Sequence, residues 1–299
     1  MPVASLLALP FASAAFSAPP RTVEIAPGVR MPIINLGGVH SHPSNYSAWL
    51  RLGGRGLDSA LMYGDDVQVA VGDAIAASTR PRRELFLTSK VPCCPSTSLT
   101  HWCEWYEAEY ARLPAATQAA IDARLLGVAQ LDLVLLHWPC DTFEDTLRAY
   151  RSLEDFALAG KARAIGVSNF NASALEALFG AGLRVPPAVN QCGFSIGNHN
   201  SSALGRDFET VGKCREKNVT YSAYSPLGGL TGVDVLSNPQ VKAVAAAHNK
   251  STAQVALRWL TQQGIVPVTS SDKESHLKSD LEIFDFSLTE QEAASLTQI

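Results

Sequence analysis

The sequence predicts a (β/α)8 barrel, or TIM barrel, an α/β fold in which parallel strands alternate with helices. Short apolar runs that end in polar residues recur along the chain, as buried parallel strands do. Helix start and stop signals separate these runs, without a Pro/Gly/Ser-rich linker from about Val23 onward. A chain of 299 residues, 46% of them hydrophobic, can form such a barrel, which typically takes ~250 residues.

Eight strands are expected. They lie near Ile33, Gly56, Phe86, Val134, Ile165, Val189, Tyr221 and Val266. We also expect a short β-hairpin ahead of the barrel and additional loops at its C-terminal face. The alternative fold is a doubly wound sheet, but the segment after the first strand, residues 36–40 (LGGVH), lacks the G-x-G-x-x-G phosphate fingerprint of that fold.

Helix starts are predicted where a capping residue precedes an acid or an amide by three positions. The pairs are Asp141 and Glu144, Ser237 and Gln240, Ser251 and Gln254, and Ser287 and Glu290. Gly160 is expected just beyond the end of the helix that follows Asp141, where a left-handed residue commonly ends a helix.

Composition limits the class of protein. A formal net charge of −4 with 17% charged residues excludes a disordered or nucleic-acid-coating chain. The apolar stretch at residues 3–16 is interrupted by Pro10 and is too short to span a membrane.

Residues 1–20 are predicted to be an N-terminal extension, either a targeting remnant or a loose tail, ahead of a single domain over residues 21–299. We expect a cytoplasmic protein, with a plastid or another organelle as the alternative if the extension is a targeting segment.

The six cysteines include no C-x-x-C pair and no Cys/His spacing typical of a zinc site. We therefore expect reduced thiols and no metal.

Three motifs carry candidate catalytic residues. GGRGLDSALMYGDD contains Asp58 and, five residues later, Tyr63; ELFLTSK ends at Lys90; and LDLVLLHWP contains His137. In these segments and in their order the chain resembles the aldo-keto reductase family from Val23 onward. The resemblance implies a nicotinamide-dependent oxidoreductase that reduces an aldehyde or a ketone to an alcohol, with these four residues as its catalytic tetrad.

The four residue types suit this chemistry. Hydride addition to a carbonyl builds an alkoxide, which needs a proton from a positioned acid. We expect Tyr63 to be that acid. An unperturbed phenol has a pKa of ~10, and the ammonium group of Lys90 is expected to favour the phenolate and make the proton easier to release. Asp58 would anchor Lys90, and His137 would donate a hydrogen bond to the carbonyl oxygen.

The resemblance also implies a cofactor site. GVSNF and VNQ match positions that hydrogen-bond the nicotinamide carboxamide, namely Ser168, Asn169 and Gln191. In YSAYSPLGG, Tyr224 matches the aromatic residue that stacks on the nicotinamide ring. Ser225 and Leu227 begin the loop that is expected to lie over the pyrophosphate.

Near the last strand the chain departs from the family's Pro-Lys-Ser pattern. The lysine and the arginine that bind the 2′-phosphate in the family are both replaced, so two positive charges are lost. Lys273, His276 and nearby hydroxyls are expected to hold the phosphate instead, which keeps NADPH favoured, with NADH as the alternative cofactor. The cofactor-binding positions that the resemblance implies in this segment are Thr269, Ser270, Ser271, His276 and Asp280.

Substrate contacts are expected from Val39, His40 and Trp138, which adjoin tetrad or cofactor positions. Gly38 and Val39 stand where the family often has Thr and Trp, and Gly56 replaces a residue that is usually bulky, so a reshaped or wider pocket wall is expected.

The segment between Lys90 and His137 is longer than is usual in the family. Its aromatic residues, Trp102, Trp105 and Tyr106, are interpreted either as an extended helix face or as a lid over the substrate. The chain ends soon after the last predicted helix, so we expect a shortened specificity loop and an open site.

Two other functions remain open from the sequence. One is a catalytically weak, nucleotide-binding regulatory or sensor subunit. The other is a lyase or isomerase in which Lys90 forms a Schiff base. The expectation that we carry forward is a monomer that acts on a small carbonyl substrate and binds neither nucleic acid nor membrane.

Overall fold

Eight short apolar segments pair in parallel and close into a barrel in a computed structural model, which describes residues 21–38, 43–93, 110, 112–229 and 233–299. In order around the barrel they are β3 (Asn35–Gly37), β4 (Gly56–Asp58), β5 (Phe86–Val91), β6 (Leu131–Leu136), β7 (Ala162–Ser168), β8 (Val189–Gly193), β11 (Thr220–Tyr224) and β12 (Val266–Thr269). The last of these pairs with the first, at Val268 and Asn35. The predicted barrel and its eight strands are therefore confirmed.

A two-stranded hairpin precedes the barrel, as predicted. Strands β1 (Thr22–Ala26) and β2 (Val29–Pro32) pair antiparallel, and Gly28 in the turn between them has a φ of 72°. Their apolar side chains form one cluster with side chains from the barrel interior. The cluster includes Ile25, Val29, Met31, Phe86, Leu133, Leu135, Ala164 and Val189. The hairpin therefore covers the end of the barrel opposite the carboxyl ends of the strands.

Helices surround the barrel. They are α1 (Pro43–Leu52), α2 (Asp65–Ala76), α3 (Ala115–Leu125), α4 (Phe143–Leu158), α5 (Ala172–Phe179), α6 (Phe208–Glu216), α7 (Pro239–Ala247), α8 (Thr252–Gln262), α9 (Glu274–Leu281) and α10 (Glu290–Thr297). Strands β5 and β6 are buried at every position, because inward side chains fill the barrel and outward ones contact the helices. A second hairpin, β9 (Asn200–Ser201) with β10 (Arg206–Asp207), lies in the connection between β8 and α6 and is one of the additional loops expected at the C-terminal face.

Only some of the predicted helix caps are confirmed. Ser251 and Gln254 form the predicted capping box, and Gly160 follows α4 with a φ of 72°. The other three predicted pairs are wrong by one or two residues. The observed caps are Thr142 for α4, Asn238 for α7, and Thr289 with Glu292 for α10. Each true cap lies within two residues of another Ser, Asp or Asn, and sequence spacing does not tell such neighbours apart.

The expectation of reduced thiols is wrong for two cysteines, because Cys93 and Cys140 form a disulfide. Their Cα atoms are 5.2 Å apart although 47 residues separate them in the chain. Cys93 lies two residues beyond β5 and Cys140 four residues beyond β6. These strands are neighbours, with Val91 paired to Leu136, so their carboxyl ends bring the two cysteines together. Cys192 and Cys214 are free and buried.

Reducing this disulfide is expected to destabilise the protein by about 2–4 kcal/mol, because the bond closes a long loop in the unfolded chain. Urea denaturation of the wild type with and without dithiothreitol measures the effect. Cys93→Ser is the control, since reductant should not lower its midpoint further. Two alkylatable thiols at positions 93 and 140 before reduction would contradict the assignment.

No helix in the described part of the chain is long and apolar enough to cross a membrane. The predictions for residues 1–20, for Val39 and His40, and for Trp102, Trp105 and Tyr106 fall outside the described residues.

Candidate active site

The four residues of the predicted tetrad lie at the carboxyl end of the barrel. Asp58 is the last residue of β4, Lys90 is in β5, and His137 directly follows β6. Tyr63 ends a single 3-10 turn, Leu61–Tyr63, that follows β4. Parallel strands that close into a barrel have their carboxyl ends around one opening. Asp58 and His137 therefore lie in one cluster although 79 positions separate them in the chain.

Lys90 and Asp58 form a buried ion pair. The Lys90 Nζ donates to Asp58 Oδ1 at 2.5 Å and to the backbone oxygen of Ser59 at 2.9 Å. The other Asp58 oxygen, Oδ2, accepts from Gln191 Nε2 at 2.7 Å. Burial, the largest single effect, would lower the pKa of Lys90, but the charges of Asp58 and Tyr63 and the hydrogen bonds to them together outweigh it, and the pKa is raised. A Schiff-base lysine needs a depressed pKa, so the geometry disfavours that alternative.

Tyr63 lies against this pair, with the Lys90 Nζ 5.4 Å from the centre of its ring. Burial raises the pKa of Tyr63, the Lys90 charge and hydrogen bond lower it, and the net direction is upward. Lys90 acts in the direction expected from the sequence, but desolvation of the phenolate, which sequence reasoning did not weigh, is the larger effect. The phenol is therefore protonated at neutral pH, as a proton donor must be.

His137 completes the cluster. Its ring lies 6.1 Å from the Tyr63 ring and stacks on Trp138 at 3.8 Å with an interplanar angle of 8°. Burial and the Lys90 charge hold the pKa of His137 well below 6.5, so the imidazole is neutral at neutral pH. Its Nδ1 is buried and has no hydrogen-bond partner among the described residues.

The residues predicted to meet the carboxamide lie in one hydrogen-bonded group beside the tetrad. Ser168 Oγ donates to the Gln191 backbone oxygen at 2.6 Å. Asn169, which has a φ of 62°, donates from Nδ2 to the His137 backbone oxygen at 3.0 Å and to Ser168 Oγ at 3.1 Å. Gln191 reaches the tetrad through Asp58.

Tyr224 joins the same group at the end of β11. Its hydroxyl donates to Asn169 Oδ1 at 2.8 Å and accepts from Arg206 Nη2 at 2.9 Å. The ring is only half-buried, so part of it stays open. Ser225 follows with a φ of 51°, and Leu227 packs against the core. Sequence reasoning missed Arg206, because no motif or spacing singles out an arginine in a connecting hairpin.

The segment after β12 divides into a buried pair and an exposed group. Thr269 Oγ1 donates to Asp280 Oδ2 at 2.8 Å, and burial raises the pKa of Asp280 to about 6. Ser271 Oγ lies 3.2 Å from His276 Nδ1 at the start of α9. Ser270, Lys273 and His276 are exposed around Ser271. The buried hydroxyl of Thr269 thus bonds to Asp280, while the half-buried hydroxyl of Ser271 lies among exposed residues.

Gly38 and Gly56, the two glycines expected to alter the pocket wall, have different surroundings. A side chain at Gly56 would overlap the amide of Asn35, so this glycine accommodates a packed neighbour inside the barrel and does not border an open wall. A Cβ at Gly38 would lie 3.2 Å from the Tyr46 hydroxyl and 3.3 Å from the Asp58 backbone oxygen. At Gly56 the space is therefore occupied by the side chain of Asn35.

A buried polar layer that sequence reasoning missed lies beside the tetrad. Gln68 of α2 hydrogen-bonds Ser59, Ser89 and Asp122 through its side chain. Ser59 adjoins Asp58, and Ser89 adjoins Lys90. Burial raises the pKa of Asp122 to about 7, although hydrogen bonds and the Lys90 charge oppose this. The layer could be found only once α2, α3 and β5 are packed together.

Asp122 is expected to make the folded state less stable as pH rises from about 4 to 7. The folded-state pKa is above the unfolded value of 3.8, so the native protein binds more protons in this window and loses that advantage as they dissociate. Because each unit of pKa shift corresponds to about 1.4 kcal/mol, the loss amounts to a few kcal/mol. Denaturation midpoints measured at pH 5, 6, 7 and 8 should fall in the wild type and fall less in Asp122→Asn. Asp73→Asn, at an exposed position of α2, is the control, and equal pH profiles for both variants would refute the assignment.

Comparisons with family models, known sequences and solved structures all point to one protein family. The sequence model of the Aldo/keto reductase family matches residues 45–299. A glyoxal reductase of Bacillus subtilis is 34% identical over 278 residues, covering 91% of this chain and 90% of that protein. A 9,11-endoperoxide prostaglandin H2 reductase of Trypanosoma cruzi is 32% identical over 284 residues, covering 93% of this chain and 90% of that protein. Among solved structures, an aldo-keto reductase of Bombyx mori in complex with NADP superposes with a TM-score of 0.77 at 26% identity, covering 95% of this chain and 93% of that one.

Proposed function

Because this chain belongs to the aldo/keto reductase family, we propose that it reduces an aldehyde or a ketone to the corresponding alcohol with a reduced nicotinamide cofactor. The observation that carries the proposal is the cluster formed by Tyr63, the Lys90–Asp58 ion pair and His137 at the open end of the barrel. When bound, the cofactor supplies the hydride. The protein must then supply the proton, polarise the carbonyl and orient both reactants.

Tyr63 is the proposed proton donor. Its phenol is neutral in the resting site, and the Lys90 ammonium stabilises the phenolate that remains when the Oη proton moves to the alkoxide oxygen. Asp58 holds Lys90 in place and keeps it charged. The desolvated surroundings strengthen the attraction between Lys90 and the phenolate, so the same burial that raises the resting pKa of Tyr63 makes Lys90 more effective.

His137 is proposed to orient the carbonyl. A neutral imidazole presents one N–H donor, which can hydrogen-bond the carbonyl oxygen without competing with Tyr63 as the acid. Trp138 stacks on this ring and fixes its plane, so we assign Trp138 to the wall of the substrate site.

The residues beside the tetrad fit the nicotinamide end of the cofactor. The Gln191 amide donates one hydrogen bond, to Asp58, which leaves its second N–H for a carboxamide oxygen. The Ser168 hydroxyl oxygen can accept, and the half-open ring of Tyr224 offers a stacking surface. Asn169 is proposed to act through Tyr224 and Ser168, since its amide already bonds both. Ser225 and Leu227 are proposed to begin the loop over the pyrophosphate.

We assign the 2′-phosphate of NADPH to the exposed group after β12. Ser270, Lys273 and His276 are exposed there and Ser271 is half-buried among them, so hydroxyls and a lysine can contact an anion. Thr269 and Asp280 act as the buried support of this group. NADPH is therefore proposed over NADH, although residues 269–280 include no arginine.

Oxidation of NADPH and, separately, of NADH at 340 nm with a panel of small aldehydes, 2-oxoaldehydes and ketones tests the proposal. A relative of this chain is a glyoxal reductase, so glyoxal and methylglyoxal belong in the panel. Turnover with NADPH is the expected result. Tight nucleotide binding without turnover on any carbonyl would favour the sensor function over the enzyme.

A further inference from the structure

We propose that Arg206 makes the site bind the reduced nicotinamide cofactor in preference to the oxidised one. This inference rests on the proposed function, because it assumes that a nicotinamide ring stacks on Tyr224. It adds a specificity that the tetrad does not supply, namely discrimination between the two redox states of the same cofactor.

Arg206 is held beside the stacking surface. It begins strand β10, in the hairpin between β8 and α6, and its Nη2 donates to the Tyr224 hydroxyl at 2.9 Å. Its guanidinium carbon is 5.8 Å from the centre of the Tyr224 ring. The same hydroxyl donates to Asn169, so the phenol is bonded on two sides and the ring orientation is fixed.

A glycine provides the space for this arrangement. Gly193 ends β8 and pairs in register with Tyr224 on β11. A Cβ at Gly193 would lie 2.9 Å from Arg206 Nε and 3.1 Å from the Tyr224 ring. A larger residue at this position would therefore displace the guanidinium from the aromatic ring.

The charge of Arg206 is not neutralised locally. Among the described residues, the contacts of its guanidinium are with Tyr224 and include no ion pair with a carboxylate, and its Nε is buried without a hydrogen-bond partner. The neighbouring carboxylate, Asp207, caps α6 by accepting from the Thr210 backbone N–H at 2.6 Å. A full positive charge thus remains next to the tyrosine.

This charge distinguishes the two forms of the cofactor. The oxidised nicotinamide ring carries a positive charge, and the reduced ring is neutral, while the phosphates are the same in both. An unpaired guanidinium beside the stacking tyrosine therefore opposes the oxidised form alone. At the effective dielectric of a partly exposed site, one such charge within several ångströms changes an equilibrium by about five- to thirty-fold. The consequence is faster release of the oxidised product and a bias toward carbonyl reduction.

The test is the ratio of dissociation constants, Kd for NADP⁺ over Kd for NADPH, measured by quenching of intrinsic tryptophan fluorescence and by calorimetry. Arg206→Met keeps an unbranched side chain and removes the charge, and should lower the ratio about five- to thirty-fold. Arg206→Lys keeps the charge and should retain most of the ratio.

Tyr224→Phe, which removes the hydrogen bond and leaves the charge, should also retain most of the ratio. Arg30→Met removes one positive charge from the hairpin at the opposite end of the barrel and should change nothing.

The outcomes separate this inference from a merely structural role. If Arg206 only supports Tyr224, then Arg206→Met weakens both nucleotides equally, and the unchanged ratio overturns the proposal. Arg206→Gln is the second variant should Arg206→Met fail to fold, judged by circular dichroism, and it carries the same expectation. If the wild type binds neither nucleotide, the proposed function fails and this inference fails with it. If both bind and the ratio is unaffected by Arg206, the proposed function stands and only this inference falls.

Discussion

Tyr63→Phe should lower kcat/KM for carbonyl reduction by about 10²–10⁴-fold, because it removes the proton donor and leaves the ring in place. The phenylalanine ring fills the same space beside Lys90 and His137, so cofactor affinity should change little. The loss should appear mainly in kcat, since the proton moves only in the transition state. Steady-state oxidation of NADPH with the best substrate of the panel measures it, alongside nucleotide binding by fluorescence.

Tyr150→Phe is a matched control for the loss of a phenol. Tyr150 is fully buried on α4, and its hydroxyl donates to the Val185 backbone oxygen at 3.0 Å, away from the tetrad. This variant should lose about 1 kcal/mol of stability and keep its activity. If Tyr63→Phe retains more than a tenth of wild-type activity while binding cofactor normally, the proton comes from another group.

The fold could be predicted because it depends on local patterns that the architecture then brings together, and the candidate tetrad could be located because the motifs that resemble the family's carry its four residues. Buried apolar runs define the strands, and each run carries a polar residue at its carboxyl end, as at Lys90 and His137. Closing eight parallel strands gathers these ends without any further information from the sequence. The same logic also relates Cys93 to Cys140, but their 47-residue separation conceals it until β5 and β6 are known to be neighbours.

What could not be predicted depends on how distant segments pack. The bonds of Gln68 to Asp122 need α2 and α3 to meet behind β5, and the bond of Arg206 to Tyr224 needs a hairpin to fold back over the barrel. The net pKa of Tyr63 is a further case. The sequence placed a lysine near a phenol, but only the depth of burial decides which of two opposing effects is larger.

Lys90→Met should have two separate effects, because Lys90 takes part in both stability and catalysis. Removing the ammonium leaves the Asp58 carboxylate buried without its ion-pair partner, which typically costs about 3–5 kcal/mol. It also removes the charge that stabilises the Tyr63 phenolate, so kcat should fall by at least about 10²-fold. Urea denaturation midpoints and steady-state kinetics measure the two effects independently.

The double variant Asp58→Asn with Lys90→Met separates these effects. It removes both charges of the buried pair, so no unpaired ion remains, and most of the lost stability should return. Activity should stay as low as in Lys90→Met alone, because the phenolate still lacks its counter-charge. Recovery of activity together with stability would mean that Lys90 acts only by holding the fold, and Tyr63 would then need another source of stabilisation for its anion. Recovery of stability alone would show that the cationic charge itself serves catalysis.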